Sequence, residues 1–238
     1  MINSKRILAV IPARKGSKGL PGKNKKNLLG KPLVLYPIET AKNSKYVDEI
    51  FLTTDDIEIQ EIGLSEDISC PEMRPPKFSS DTASSFSVIK YVINYYKKNN
   101  KDFQYIVLLE PTSPLTEHTD IDNALEILDN SRDVADSIVG VARVESQHPK
   151  FIVGLTSNNI IKPYLSGFSS LRRQEIERLF YYDGSFYISD TKVLLNEKSF
   201  YHERCIGFEM PKSKSFEVDD MIDFLCVESI LKNNEKIK

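Results

Sequence analysis

The chain has 238 residues, with 32 Lys and Arg against 34 Asp and Glu, a formal net charge of -2 and 40% hydrophobic residues. This length suits one sizeable α/β domain with a small appendage, and the near-balanced charge argues against a nucleic-acid-binding protein. Cys70, Cys205 and Cys226 are scattered and read as reduced thiols of a cytosolic protein; they form no metal-cage spacing with the histidines, and no signal-peptide or membrane-spanning apolar run is present.

Ile7 to Ile11 is an unbroken apolar run that breaks at Pro12 into a loop carrying Arg14, Lys15, Gly16, Lys18, Gly19, Gly22 and Lys23. A short continuous apolar run bounded by turn residues predicts a buried strand of a parallel sheet. A basic, glycine-containing loop at its carboxyl end suggests a phosphate site, because glycine lets the backbone approach an anion. The spacing fits neither the P-loop nor the dinucleotide fingerprint. A solvated basic turn after a core strand is the other reading.

Lys31-Pro32 opens a predicted helix reaching about Ala41. Asp48 to Thr53 predicts strand two, and Thr54-Asp55-Asp56 caps a helix containing Ile57, Ile59, Ile62 and Leu64. The order βαβα suits parallel strands joined by crossovers. A proline- and serine-rich loop follows, entering a helix at Asp81-Thr82 that runs to about Tyr96; Asp81 reads as its cap and Arg74 as a loop charge. Tyr105 to Leu109 is a third strand, ending in Glu110-Pro111-Thr112-Ser113-Pro114. If the strands are parallel, that turn shares an edge with the basic loop, where open α/β sheets bind ligands.

Further on, His118 to Leu128 is predicted helical and Asp136 to Val144 a strand. The pattern weakens from Glu145 to Tyr182, with short strands at Phe151 to Leu155 and Ile160-Ile161 about a Ser157-Asn158-Asn159 turn. The aromatic run Phe180-Tyr181-Tyr182 reads as core or contact surface. Ser215 to Asp220 reads as a strand in which Glu217 and Asp219 face one side and Val218 the core. Asp220 caps a last helix, Met221 to Leu231; helix capping alone is the bland reading of the whole acidic cluster.

The string IPARKGSKGLPGKN resembles the opening motif of the CMP-sialic acid synthetases (N-acylneuraminate cytidylyltransferases). RPPKFSSDTASS, LLEPTSPLT, Arg173-Gln174, Asp183-Gly184 and SFEVD resemble later segments of that family. The resemblance implies a Rossmann-like nucleotidyltransferase fold, a three-layer α/β sandwich with a mostly parallel sheet. It implies one domain over residues 1–238, with a dimerisation and substrate arm inserted at about 145–182.

The implied activity is Mg²⁺-dependent transfer of CMP from CTP to the anomeric hydroxyl of a nonulosonic acid. Arg14 and Lys18 would neutralise the triphosphate with help from Lys23. Asn24 and Arg74 would address the cytosine end, and Ser85 matches a position that helps hold the base and sugar. Glu217 and Asp219 would hold Mg²⁺, which takes few carboxylates beside phosphate oxygens. Arg173 and Gln174 lie on the arm, where an arginine fork would meet the carboxylate of the partner subunit's sugar. The implied partners are CTP, a nine-carbon acidic sugar and a second copy of the chain, without nucleic acid or membrane.

Several positions depart from the pattern. Glu110 stands where Gln is common, Thr116 where Arg is common, Asp183 where Asn is common and Glu217 where Asp is common; Lys150 sits one residue before the usual lysine position. Glu110 widens the substrate class to legionaminic or pseudaminic acids. No residue announces itself as a general base. The rival readings are a nucleotidyltransferase for another acidic sugar, such as Kdo, and a non-catalytic homologue.

Overall fold

The computed structural model describes residues 1–165 and 176–237. In chain order its elements are β1 (Ile7–Pro12), β2 (Asn27–Leu28), β3 (Lys31–Pro32), α1 (Leu35–Asn43), β4 (Glu49–Thr53), α2 (Ile57–Ser65), α3 (Ser85–Lys98) and β5 (Tyr105–Leu108). There follow α4 (His118–Asn130), β6 (Ser137–Arg143), β7 (Val153–Leu155), β8 (Ile161–Pro163), β9 (Phe180–Asp190), α5 (Thr191–Glu197), β10 (Cys205–Glu209), α6 (Met221–Lys232) and α7 (Asn234–Ile237).

The run Ile7 to Ile11 is fully buried because both faces of β1 are covered. Ile7, Ala9 and Ile11 pack into a core with Ile38 of α1, Ile59 of α2 and Leu125 of α4. Leu8 and Val10 pack into a second core with Val92 of α3 and Leu194 of α5. Each such aliphatic burial contributes about 1.5–3 kcal/mol, so a charge at Val10 would break the second core. The result is a three-layer sandwich around a six-stranded sheet of order β10-β6-β9-β5-β1-β4.

β4, β1 and β5 pair in parallel, as do β10 and β6. β9 runs antiparallel to both β5 and β6, so the other strands all point one way and the sheet is mostly parallel. Their carboxyl ends form one edge, which also receives the beginning of β9. A third cluster holds the site's loops in place. Leu20 of the basic loop, Leu28, Leu33 and Leu115 pack with Val218 and with Phe224 and Val227 of α6.

Several elements differ from the sequence reading. Lys31-Pro32 starts no helix: a tight turn at Leu29-Gly30 pairs Asn27 with Pro32 in a hairpin, and α1 begins at Leu35. α3 begins at Ser85, and its cap is Ser84, whose side chain accepts from the Ser87 N–H at 3.2 Å. Asp81 is therefore not the cap. The Phe180 run and Asp183 to Ile188 fuse into the single strand β9, and all three aromatics are exposed, so they form no core within this chain. Ser215 to Val218 forms no strand; Val218 is nonetheless buried, and its N–H donates to Thr112 O at 2.7 Å. β7 and β8 form an exposed antiparallel hairpin within the expected arm. Among the described residues, no helix is long and apolar enough to cross a membrane.

Candidate active site

The basic loop leaves β1 at the carboxyl edge and is pinned there by backbone and side-chain contacts. Ala13 N–H donates to Thr53 O at 2.9 Å, Lys15 N–H to Asp55 Oδ1 at 2.7 Å, and Asn24 Nδ2 to Arg14 O at 2.9 Å. At Gly19 a Cβ would lie 2.4 Å from the Asp219 carbonyl oxygen. Glycine is thus required for the basic loop to touch the acidic segment.

Of the cavities that open at this edge, two gather residues singled out from the sequence. The smaller, about 270 Å³, is lined by Arg14, Lys23, Asn24, Arg74, Ser85 and Glu110 among others. Six residues singled out from the sequence therefore meet around one space. Lys18 stands beside it, bonded at 2.8 Å to Asp81, which also lines the cavity. Arg74 is only 4% exposed, and burial pulls its basicity down against the pull of Asp55. Its NH2 is 3.5 Å from Asp55 Oδ1, and neither Nε nor NH2 has a hydrogen-bond partner. Buried donors left unpaired are costly, so these two point to a ligand acceptor.

The larger cavity, about 930 Å³, is lined by Arg143, Gln147, Tyr181, Asp183, Glu217 and Asp219 among others. Its size falls in the range of small-molecule sites. Lys23 sits at the junction of the two, donating to Asp219 Oδ1 at 3.1 Å and Val218 O at 2.7 Å.

The carboxyl groups here are poorly balanced by cations. Burial, then the neighbouring Glu110, Asp219 and Asp183, pushes Glu217 up to about 7. Burial also raises Glu110, with Lys23 opposing and Asp219 adding to the rise. Burial raises Asp183 despite hydrogen bonds from Ser185 N and Oγ, and its Oδ2 has no partner. Gly184 lies under Glu217 with φ +71°, and a Cβ there would collide with Glu217 Oε1. Among the described residues no ready-made cage of three metal ligands exists. Glu217 and Asp219 beside an orphaned Asp183 oxygen instead suit a cation that takes its remaining ligands from substrate and water.

Arg173 and Gln174 lie outside the described residues. Sequence reasoning missed Asp81, read as a helix cap, and Arg143, which no motif marks. Asp183 stood only as a departure from a family pattern, and nothing local announces that its strand turns it into the protein.

The cytidylyltransferase family profile matches residues 8–208. The chain is 37% identical over 222 residues to an N-acylneuraminate cytidylyltransferase of Streptococcus agalactiae, covering 92% of this chain and 52% of that protein, so it spans about half the length of that relative. It is 33% identical to the CMP-N,N'-diacetyllegionaminic acid synthase of Legionella pneumophila, covering 97% of this chain and 98% of that one. A solved structure of CMP-2-keto-3-deoxy-manno-octonic acid synthetase complexed with CTP shares the fold, with a TM-score of 0.70 at 17% identity over 96% of this chain and 99% of that chain. With a profile match over most of its length and a relative matched end to end, the chain belongs to the cytidylyltransferase family.

Proposed function

We propose that the protein transfers CMP from CTP to the anomeric hydroxyl of a nonulosonic acid, releasing pyrophosphate. The observation that carries this reading is the junction of the two cavities, where Lys23, Asp219, Glu217 and Glu110 meet. CTP would occupy the smaller cavity. Arg74, with two unspent N–H groups, would face acceptors of the cytosine, and Ser85 and Asn24 would flank the nucleoside. Arg14, Lys18 and Lys23 would neutralise the triphosphate. The sugar would occupy the larger cavity, bringing its anomeric oxygen to the α-phosphorus at the junction.

Glu217 and Asp219 would hold Mg²⁺, and Asp183 lines the same cavity. When bound, the ion would withdraw charge from the phosphate oxygens and the departing pyrophosphate. Lys23 holds Asp219 and backbone oxygen in place and would add positive charge beside the leaving group. Glu110 accepts hydrogen bonds but, while ionised, donates none, so it favours sugar hydroxyl or amide N–H groups over a carboxylate. The acid itself would meet Arg143, or Arg173 of the arm. The names of the relatives support a nine-carbon acid, and Glu110 favours legionaminic-type sugars within that class.

The exposed apolar hairpin, with Leu155, Ile160 and Ile161 each more than 60% exposed, supports the reading of residues 145–182 as a dimerisation arm on a single domain. Three free cysteines suit action in the cytoplasm.

The test is pyrophosphate release from CTP and Mg²⁺, with N-acetylneuraminic, legionaminic, pseudaminic and Kdo acids offered separately. Release with a nine-carbon acid is expected. Release with Kdo alone would move the protein to another acidic sugar, and absence of CTP binding would contradict the cytidylyltransferase activity.

A further inference from the structure

Arg14 NH1 donates to Asp81 Oδ1 at 2.6 Å, and Lys18 Nζ pairs with Asp81 Oδ2 at 2.8 Å. Both oxygens of one carboxylate are thus spent on the two cations that the proposed function assigns to the triphosphate. Among the described residues Asp81 is the only acidic group within 4 Å of either. Its carboxylate is held below the usual range by Lys18 first and Arg14 second, as expected of an anion resting in a cationic site. The side chain does not cap α3: Ser84 does, and Asp81 lies half-exposed in the short turn before it. Asp81 also lines the smaller cavity beside Arg14 and Asn24.

We propose that Asp81 is an internal stand-in for the nucleotide's phosphates, occupying Arg14 and Lys18 until CTP displaces it and reclaiming them as pyrophosphate leaves. This inference rests on the nucleotide reading of the smaller cavity. A triphosphate and a carboxylate cannot share these cations without mutual repulsion, so nucleotide entry must move Asp81 away. Its turn can move without unravelling α3, because the helix keeps its Ser84 cap. Asp219 contrasts with it: that carboxylate also pairs with a phosphate-site cation, Lys23, but a metal ion would let it remain beside the nucleotide. Asp81 therefore weakens CTP and pyrophosphate binding together, which limits product retention.

The sign of the effect separates this role from simple positioning. An aspartate that merely aims Arg14 and Lys18 would strengthen phosphate binding, and its loss would weaken it. Calorimetric titration of Asp81→Asn with CTP and with inorganic tripolyphosphate tests the point, against wild type and Asp81→Glu. The expected result is a Kd about threefold lower for both ligands in Asp81→Asn, the scale of one exposed ion pair. Asp81→Glu should stay near wild type, and KM for CTP in Asp81→Asn should fall without a rise in kcat. Equal or weaker binding by Asp81→Asn, while wild type binds, overturns this inference alone. Wild type binding neither ligand overturns the phosphate site and this inference with it.

Discussion

At the amino-terminal edge of the sheet the carboxylates are matched with cations and donors. Asp129, near the end of α4 and beside the start of β5, takes Lys5, Asn3 Nδ2 at 2.7 Å and the Tyr105 hydroxyl at 2.8 Å. Asp136 and Asp190 share Arg132, with NH2 at 3.0 Å from each, and Arg204 adds a second contact to Asp136. At the carboxyl edge the opposite holds. Half-buried Glu110 and Glu217 cluster with buried Asp183, Lys23 opposing the rise at both glutamates, and all three are held above their ordinary values. The same sheet thus has one edge where charge is satisfied and stabilises, and another where, beside the paired Asp81, one carboxylate cluster is left unsatisfied for something not part of the chain. Groups perturbed by burial and like charge in a cleft mark functional sites, and local rule-breaking concentrates there.

The largest effects should come from removing groups at the carboxyl edge that act on the nucleotide. Lys18→Ala and Asp219→Ala should each lower turnover about a hundredfold, near 3 kcal/mol of barrier, while the circular dichroism spectrum and melting transition stay close to wild type. Near-normal pyrophosphate release from either variant would remove that residue from the mechanism.

The satisfied edge should respond in stability instead. Burial works to raise Asp129, but hydrogen bonds from Lys5, Asn3 and Tyr105 outweigh it and hold the carboxyl below 3.8. A depressed carboxylate contributes stability that is present above its unfolded value and lost as pH falls through its folded one. Wild type should therefore lose stability below about pH 4. Asp129→Ala should cost about 2 kcal/mol at neutral pH, since it strands Tyr105 OH and Lys5, and should flatten that acid limb. Urea melts across pH 3–7 would check both, and an unchanged midpoint would show that the cluster is idle.

A smaller change of opposite sign should follow at the other edge. Glu217→Gln removes a charge crowded by Glu110, Asp219 and Asp183, so it should raise stability by about 1 kcal/mol at pH 8 while lowering turnover. Loss of both stability and activity would show that the Glu217 charge stabilises the fold.

How much of this could be read beforehand varied with the kind of signal. β1 and its loop were legible because burial on both faces leaves an unbroken apolar run, and because the backbone contact at Gly19 demands glycine. Asp56 was legible as a cap and does accept from Glu58 N–H at 3.1 Å. Asp81 was not, because SSDTASS offers several residues able to cap a helix and only tertiary contact decides among them. β9 was hidden because the bulge around Gly184 and Gly140 interrupts its alternation and its aromatic half is exposed. β10 is a partly exposed edge strand and leaves little pattern. The carboxylate junction gathers Glu110, Asp183 and Glu217 from distant parts of the chain. Spacing alone could pair Glu217 with Asp219 but could not bring the others to them.

Nucleotide and divalent cation together would complete the unsatisfied carboxylate cluster. The most direct measurement is the melting temperature of the wild-type protein with CTP alone, Mg²⁺ alone, and both, repeated on the Glu217→Gln, Asp219→Asn double variant. Both together should stabilise wild type well beyond the sum of the separate shifts, approaching about 2.7 kcal/mol at a hundredfold excess over Kd. The double variant should lose that surplus. A CTP shift that is the same with and without Mg²⁺ in wild type would show that the cluster does not join nucleotide and cation.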